Sequence, residues 1–303
     1  MSRPRCVPTL ALIALLLLGA LPVTAGARDR ADCEREFQPQ VGQTGKNVIW
    51  VPTPDEQVAE MLRLANVDSN DVVFDLGAGD GKIAIAASKL GAQAVGIEYD
   101  EKMARLAQCM VEAEGAGRRA RIVQGDIFKE DFSRATVVTM YLLPELNLCL
   151  RHRLLAMRPG TRVASHQFMM EDWQPDVRSD RGSAYLWIVP ARVAGEWTLE
   201  SGSRSPATLR LTQQFQTVAG EFVEGDRTHP ISDATLLGDR LRFVVADGRR
   251  GPRRFEGTVR GDEIVGEFSR GRDVVETRAR RRGEAPPATW AEMPDKCRTY
   301  YST

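Results

Sequence analysis

A glycine-rich run with acidic residues around it is the part of the sequence best suited to chemistry. The chain reads Asp-Leu-Gly-Ala-Gly-Asp-Gly over residues 75–81, directly after the apolar segment 72–74. The glycines Gly77, Gly79 and Gly81 let the backbone approach a ligand closely and adopt conformations that other residues avoid. The run is therefore predicted to be a turn that holds a ligand.

Three carboxylates stand where successive apolar segments end: Asp75, Glu98 and Asp126. Asp75, just before the turn, suits a ligand with an ammonium group better than a pyrophosphate. Glu98 is placed to accept hydrogen bonds from both hydroxyls of a ribose. The carboxylate of Asp126 can receive an adenine amino group.

A dinucleotide-binding fingerprint is the obvious alternative for such a turn. It requires Gly-x-Gly-x-x-Gly, which would place the third glycine at position 82. Position 82 is Lys82. The spacing therefore disfavours a nicotinamide or flavin dinucleotide.

Two residues at the ends of later apolar segments are candidates for the chemistry itself. Tyr141 follows the fourth segment, where a group that faces the substrate is expected, and packing in the core is the alternative. His166 ends the fifth segment and is a candidate general base, with ordinary hydrogen bonding as the alternative. The sequence after Met140 reads Tyr-Leu-Leu-Pro and lacks Asn/Asp-Pro-Pro-Tyr, which argues against a planar or amide nitrogen as substrate.

The elements that position these residues alternate short apolar segments with helical stretches. The apolar segments are 72–74, 94–97, 121–123, 136–140 and 162–164. Strands that alternate with helices form a parallel, doubly wound sheet, and strands buried on both faces are apolar throughout. This α/β domain is predicted over 53–191, and its first helix is predicted to open with Thr53 as N-cap, Pro54 at the first helical position and Glu56 completing a capping box.

From about residue 193 to 283 the sequence changes to short alternating strands without a helical period. The predicted strands cover 209–216, 221–223, 241–245, 255–259, 264–268 and 274–277. Gly-Asp pairs at 238–239 and 261–262 are typical of two-residue hairpin turns. We expect a small antiparallel β-rich domain, a meander or a small barrel, followed by a tail over 284–303.

The start of the chain resembles an export signal. Arg3 and Arg5 precede an apolar stretch over 7–23, and Ala-Gly-Ala follows at 25–27. This order is typical of a secretory signal peptide, predicted here over residues 1–27. We therefore expect a periplasmic or secreted protein with an N-terminal arm over 28–52 and no stable membrane span after cleavage.

The expected compartment bears on the cysteines that follow the signal. Cys33 and Cys297 lie in polar segments, and an oxidising compartment favours a disulfide between them. Cys109 and Cys149 lie in apolar-periodic stretches and are predicted to be small buried residues. The spacing of cysteine and histidine residues fits no zinc site, so no metal is expected.

Length and composition indicate an ordinary globular protein of two domains. The 303 residues are 43% hydrophobic and 27% charged, which is far from the composition of disordered chains. The 41 basic and 41 acidic residues give a formal net charge of zero. Because no overall positive charge is available to hold phosphates, we expect no nucleic-acid partner.

The run at 75–81, with Glu98 and Gly125-Asp126 in register, resembles the first motifs of the class I S-adenosylmethionine-dependent methyltransferases. Within that superfamily, Val-Pro-Thr-Pro at 51–54 is similar to the protein-lysine methyltransferases related to the mitochondrial ATP synthase c-subunit enzyme and to their bacterial relatives. The resemblance implies a Rossmann-like methyltransferase domain with S-adenosylmethionine as cofactor. It places Asp75, Gly77 and Gly79 at the methionine end, Glu98 at the ribose and Asp126 at the adenine, with Gly81 as a further cofactor-binding residue.

The leading hypothesis is therefore an exported methyltransferase that acts on a protein amino group, most simply that of a lysine. Two alternatives stay open at this stage. One is a binding protein that keeps the fold without catalysis, and the other is a methyltransferase for small molecules. The sequence leaves the acceptor, the oligomeric state and the role of the β-rich domain undefined.

Overall fold

The structure is a computed structural model, and it describes residues 28–43, 45–46, 48–180, 183–200, 207–246 and 251–302. The predicted signal peptide over 1–27 lies outside the described residues. Within the described ranges, no helix is long and apolar enough to cross a membrane.

The first domain is a seven-stranded sheet with helices on both faces. Its helices are α1 (Arg30–Glu36), α2 (Asp55–Leu64), α3 (Lys82–Lys89), α4 (Glu101–Ala113) and α5 (Pro144–Leu155). Its strands are β1 (Val72–Leu76), β2 (Gln93–Glu98), β3 (Ala120–Gln124), β4 (Val137–Met140), β5 (Arg162–His166), β6 (Val177–Arg178) and β7 (Ala184–Ile188).

The strand order confirms the predicted doubly wound sheet. It runs β3-β2-β1-β4-β5-β7-β6, with the first five strands parallel and β7 and β6 added antiparallel at one edge. The order reverses between β1 and β4, and ligands bind at such a switch point, outside the carboxyl ends of the strands. The sheet thus brings the predicted site residues to one edge.

Each face of the sheet has its own apolar core, which explains why the strands are apolar along their whole length. On one face, Val73 and Val137 pack with the helices α1 to α4. On the other face, Phe74 and Val138 pack with α5 and with the C-terminal tail. Adjacent residues of a strand point to opposite faces, so both must be apolar.

The second domain is a closed antiparallel barrel, which confirms the prediction of a small β-rich domain. Its strands are β8 (Gly195–Glu200), β9 (Ala207–Gln214), β10 (Thr217–Glu224), β11 (Arg227–Leu237), β12 (Arg240–Val245), β13 (Arg253–Arg260), β14 (Glu263–Arg270) and β15 (Asp273–Arg282). They follow one another as a meander, and β15 pairs with β8 to close the barrel. Gly238 and Gly261 both have a φ of 60°, as the predicted tight turns require.

Side chains fill the barrel interior. Four phenylalanine rings lie with centroids 4.7 to 6.0 Å apart, at Phe222, Phe243, Phe255 and Phe268. These separations are those of packed aromatic pairs. The interior is thus a core of the kind that small eight-stranded barrels have.

The strand predicted over 209–216 ends two residues early, at Gln214. Phe215 has a φ of 53° and forms the turn to β10 with Gln216. Its side chain is only 4% exposed because it leaves the barrel and packs in the core of the first domain. The apolar alternation continues through Phe215, so the pattern assigned this residue to the barrel strand, although it packs in the core of the first domain.

The beginning of the chain corrects two expectations. The arm contains the helix α1, which Asp29 and Asp32 cap reciprocally, although its seven residues carry too little periodicity to reveal it. The prediction that Thr53 is the N-cap of the next helix is wrong. The helix α2 begins at Asp55 with Pro54 as N-cap and without a side-chain cap, while the carbonyl of Thr53 accepts a hydrogen bond from Lys82 Nζ (3.1 Å).

The predicted Cys33–Cys297 disulfide is wrong, whereas Cys109 and Cys149 are buried as predicted. The structure has two disulfides, Cys33–Cys109 and Cys149–Cys297. The first joins α1 to α4, and the second joins α5 to the tail. Cys109 faces α1 and Cys149 faces the tail. The apolar periodicity therefore placed both cysteines correctly in the core, but it could not identify their disulfide partners.

The C-terminal tail completes the first domain. It contains two short 3-10 helices, Thr289–Ala291 and Asp295–Tyr300. The connection from β3 to β4 has no α-helix, and the rings of Tyr300 and Tyr301 pack there against Phe128 at centroid distances of 4.8 and 5.2 Å. The tail thus covers apolar surface that a crossover helix covers in a regular doubly wound sheet.

We expect peptide mapping of the unreduced protein by mass spectrometry to recover Cys33 linked to Cys109 and Cys149 linked to Cys297. The double variant Cys149→Ala/Cys297→Ala should lower the free energy of unfolding by about 2 to 5 kcal/mol, because the removed bond no longer restricts the unfolded chain. Denaturant unfolding measures this loss. A Cys33–Cys297 peptide in the same digest would contradict the pairing.

Candidate functional site

The glycine-rich turn between β1 and α3 is held by the neighbouring strand. The amides of Gly77 and Ala78 both donate to the carbonyl of Ile97, at 2.9 Å each. Gly77 and Gly79 have φ values of 81° and 55°. A Cβ atom at Gly79 would lie 2.8 Å from the indole nitrogen of Trp50, so only glycine fits under that ring.

Gly81 has a different task from the other two glycines. It is the N-cap of α3 with a φ of 80°, and a Cβ atom there would lie 3.1 Å from that of Ala107 in α4. It therefore permits the close approach of α3 to α4. Gly77 and Gly79 line the cleft above the turn, while Gly81 stands at the base of the turn.

Asp75 is a buried carboxylate with one oxygen that lacks a partner. Its side chain is 1% exposed, and Oδ1 accepts a hydrogen bond from Thr139 Oγ1 at 2.8 Å. Oδ2 is also buried and has no hydrogen-bond partner among the described residues. Burial, opposed by the Thr139 bond and reinforced by Asp80 and Glu98, raises the pKa of Asp75 to about 8.

Glu98 connects the two turns at this edge of the sheet. Its Oε2 accepts from the amide of Gly79 at 2.8 Å, and Oε1 accepts from the amide of Asp100 at 2.9 Å. Burial raises the pKa of Glu98, and these amide hydrogen bonds oppose the increase. The carboxylate fixes both backbone segments and keeps lone pairs for a ligand, since a carboxylate has about four acceptor positions.

Asp126 has a cationic partner that sequence analysis missed. Its Oδ2 accepts from Lys46 Nζ at 2.8 Å, and its Oδ1 accepts from the amide of Phe128 at 3.0 Å. The hydrogen bond to Asp126 raises the pKa of Lys46, whose ammonium also lies 4.9 Å from the ring centre of Tyr99. Lys46 comes from the N-terminal arm, 80 residues away in the chain, and no local pattern marks it.

The same arm covers the cleft. Described residues between Gly45 and Thr53 line it, with Trp50 over the glycine turn. The disulfide from Cys33 and the contact of Lys82 with Thr53 anchor the two ends of this segment. The arm, predicted as an aperiodic polar segment, is therefore a wall of the site.

Tyr141 lies at the opposite end of the cleft from Asp126, beyond the end of β4. Its hydroxyl donates to Gln167 Oε1 at 3.1 Å, and its ring meets that of His166 edge to face at 4.4 Å. His166 does not line the cleft. It is 6% exposed, its Nδ1 donates to the carbonyl of Ser183 at 2.8 Å, and burial lowers its pKa.

Six of the residues singled out from the sequence therefore line one cleft: Asp75, Gly77, Gly79, Glu98, Asp126 and Tyr141. Their side chains and turns come from the carboxyl ends of β1, β2, β3 and β4. No group of cysteine, histidine, aspartate and glutamate side chains in the described residues could hold a metal ion. Tyr141 and His166 as catalytic residues stay predictions.

Comparison with known proteins places this domain among methyltransferases. The model of the ANTKMT methyltransferase domain matches residues 75–177. A protein-lysine N-methyltransferase of Saccharolobus islandicus is 45% identical over 152 residues, 47% of this chain and 94% of the relative. The ATP synthase c-subunit lysine N-methyltransferase of Xenopus laevis is 30% identical over 139 residues, 46% of this chain and 61% of the relative.

Solved structures are similar over the same part of the chain. An RNA methyltransferase of Salinibacter ruber, in complex with S-adenosyl-L-homocysteine, has 45% sequence identity and a TM-score of 0.46. The similarity covers 47% of this chain and 96% of that one. The barrel and the tail lie outside the segment that the family model matches.

The residues of the cleft fit S-adenosylmethionine. The unpartnered oxygen of Asp75 is buried beside the glycine turn, where the α-ammonium group of the methionine end would supply the cation that it lacks. Glu98 would hold the ribose hydroxyls, and Asp126 would hold the adenine amino group. Gly77 and Gly79 leave room for the methionine portion against the backbone.

Loss of either inner carboxylate should weaken cofactor binding. We expect Asp75→Asn and Glu98→Ala each to raise the dissociation constant for S-adenosylmethionine by about tenfold to a hundredfold, because each removes a charge-assisted hydrogen bond. Asparagine keeps an acceptor for Thr139, so the first variant should stay folded. Calorimetry measures the constants, with Asp226→Ala, an exposed hairpin residue of the barrel, as the matched control. Unchanged affinity in both folded variants would remove the assignment.

Cofactor affinity should also depend on pH through Asp75. The carboxyl has a pKa of about 8 and is mostly protonated below that pH, whereas binding an ammonium group requires the carboxylate. Between pH 6 and 8 binding therefore releases a proton, and affinity should rise over this range. Above pH 8 affinity should fall again, because the α-amino group of the ligand, with a pKa of about 8, loses its proton. Calorimetry in two buffers with different ionisation enthalpies measures the released proton. The release should disappear in Asp75→Asn, and its persistence there would assign it to another group.

Proposed function

This chain belongs to the S-adenosylmethionine-dependent protein-lysine N-methyltransferase family, and from that premise we propose that it methylates the side-chain amino group of a lysine in another protein, outside the cytoplasm. The observation that carries the proposal is the 45% identity over 94% of the length of the archaeal protein-lysine N-methyltransferase. The cofactor residues Asp75, Glu98 and Asp126 lie inside the segment that the family model matches.

The acceptor end of the cleft supports a flexible amine as the substrate. Tyr141 stands where an Asn/Asp-Pro-Pro-Tyr sequence would supply amide and carbonyl groups for a planar nitrogen. Here the hydroxyl of Tyr141 is paired with Gln167, and Leu142 follows it in the cleft lining. A lysine side chain, with an apolar stem and a polar end, suits such a tyrosine and leucine wall.

The mouth of the cleft supports a polypeptide rather than a polyanion. Ile49, Val51 and Tyr99 line the cleft and yet are 54%, 39% and 49% exposed. Exposed apolar and aromatic side chains around a cleft are typical of surfaces that bind another protein. The formal net charge of zero offers no general attraction for RNA.

The reaction needs little from the protein beyond alignment and removal of a proton. The bound cofactor supplies a methyl group on a positively charged sulfur. As the amine nitrogen bonds to the methyl carbon, the bond from that carbon to sulfur breaks, and the sulfur becomes a neutral thioether. A cleft that excludes water and fixes the line of attack can supply much of the acceleration. Since a free lysine has a pKa near 10.4, its nitrogen must lose a proton before it can act.

His166 is the residue of this chain that we propose accepts or relays that proton. Its pKa is lowered by burial, so the ring is neutral at physiological pH. Nδ1 carries the hydrogen that it donates to Ser183, which leaves Nε2 as the basic nitrogen. The ring contacts that of Tyr141, which lines the cleft, and a water molecule between the amine and Nε2 would carry the proton.

Action outside the cytoplasm is supported by two independent features. The first 27 residues have the order of a secretory signal peptide. The two disulfides are of a kind that persists in oxidising compartments and is rare in the cytosol. Both features favour a periplasmic or secreted enzyme.

The test is methyl transfer to proteins of the extracytoplasmic fraction of the source cells. We expect the oxidised enzyme, given S-adenosylmethionine with a labelled methyl group, to label protein, and hydrolysis of that protein to yield methylated lysine. Asp75→Asn should lower the labelling in parallel with its loss of cofactor affinity. Label found only in RNA or in small molecules would refute the acceptor class. Cofactor binding without any transfer would favour a binding protein that keeps the fold.

A further inference from the structure

One turn of the barrel packs against the loop that follows β5 in the first domain. Phe215 and Gln216, between β9 and β10, lie at the end of the barrel that faces the first domain, where Gly238 also packs against Gly160. The ring of Phe215 is 4% exposed and stacks on Trp173 at 6.0 Å with an interplanar angle of 12°. Trp290 of the tail closes the other side at 5.1 Å.

Gln216 joins this turn to the loop that follows β5. Its Oε1 accepts a hydrogen bond from Trp173 Nε1 at 3.0 Å, and its Nε2 donates to the carbonyl of Gln174 at 2.7 Å. Trp173 is fully buried, and Gln216 supplies the hydrogen-bond partner of its indole N–H. The barrel thereby fixes the far end of the segment 167–174.

The near end of the same segment carries the partners of Tyr141. Gln167 accepts the hydrogen bond of the Tyr141 hydroxyl, and the ring of Phe168 stacks beside that of Tyr141 at 6.1 Å. The segment 167–174 therefore contacts Tyr141 at one end and the barrel turn at the other.

The backbone of this segment is held in a conformation that it would not keep alone. Gln167 and Glu171 both have positive φ values, 63° and 56°, which are unfavourable for residues other than glycine. Such a conformation persists only where the surroundings determine it. Part of that support comes from α5, where Asn147 Nδ2 donates to the carbonyls of Phe168 and Met169 at 3.3 Å each.

Arg151 links the two sets of supports. Its guanidinium donates to the carbonyl of Met170 at 3.3 Å, pairs with Asp172, and lies 5.4 Å from the ring centre of Phe215. The barrel turn thus contacts both the loop and the arginine that holds the middle of the loop.

We propose that Phe215 and Gln216 of the barrel are positioning residues for the acceptor side of the active site, which they set by fixing the loop 167–174 that orients Tyr141. The proposal rests on the proposed function only in taking the Tyr141 end of the cleft as the acceptor end. It gives the barrel a role in the reaction, namely to make the acceptor site rigid while leaving the cofactor site unchanged.

The test uses His166 as a reporter for the position of Tyr141. The chain has three histidines, so selective labelling gives three imidazole signals by NMR, and a His166→Gln variant assigns the one of interest. The ring of His166 meets Tyr141 at 4.4 Å, and the tyrosine ring shifts its signal. Wild type gives the position of that signal with the tyrosine ring in place, and Tyr141→Ala gives its position without the ring.

In Gln216→Ala and in Phe215→Leu, which keeps an apolar side chain, we expect the His166 signal to move toward its position in Tyr141→Ala, while the dissociation constant for S-adenosylmethionine stays within about twofold of wild type. Asp226→Ala, in the hairpin turn at the far end of the same strand β10, is the control and should leave the signal in place. A stable wild-type signal in both turn variants would overturn the proposal and leave the turn a purely structural contact.

The measurement uses no methyl acceptor, so it is independent of whether lysine is the substrate. If a turn variant is too unstable to study, hydrogen exchange of the wild-type protein decides the matter. Amides of 167–174 should then exchange together with those of the barrel turn. Independent exchange of the two segments would equally overturn the proposal.

Discussion

The carboxylate of Glu98 is the constraint on which the cofactor edge depends. It binds the amide of Gly79 in one turn and the amide of Asp100 in the next, so the two loops that face the ligand keep a fixed separation. The glycine turn can then lie flat under Trp50, and Asp75 is sealed below it. A parallel sheet supplies the common edge, and this side chain, together with the two amide bonds to the Ile97 carbonyl, fixes the glycine turn against the next loop.

Much of the fold and half of the site follow from local patterns in the sequence. The strands β1 to β5, the glycine turn and the acidic residues at the strand ends were predictable because each depends on residues close together in the chain. The barrel was predictable as hairpins because Gly238 and Gly261 mark its turns. These features are set by hydrophobic periodicity and by turn chemistry.

The remaining features depend on contacts between distant parts of the chain, and the sequence does not carry them locally. Lys46 meets Asp126 across 80 residues, and Cys149 meets Cys297 across 148. Phe215 continues an alternating strand pattern and yet belongs to the core of the other domain. In each case the residue type permits the contact that is observed, but several partners are possible from the sequence. The way in which distant segments pack determines which partner it meets.

The path of the tail has a consequence for how the protein is made. The surface around Phe128 is covered by Tyr300 and Tyr301, which leave the ribosome after the whole barrel has been synthesised. The first half of the chain therefore emerges with an unfinished core and must be kept from aggregating until the last segment arrives. The core around Phe128 is therefore complete only after the tail has been synthesised.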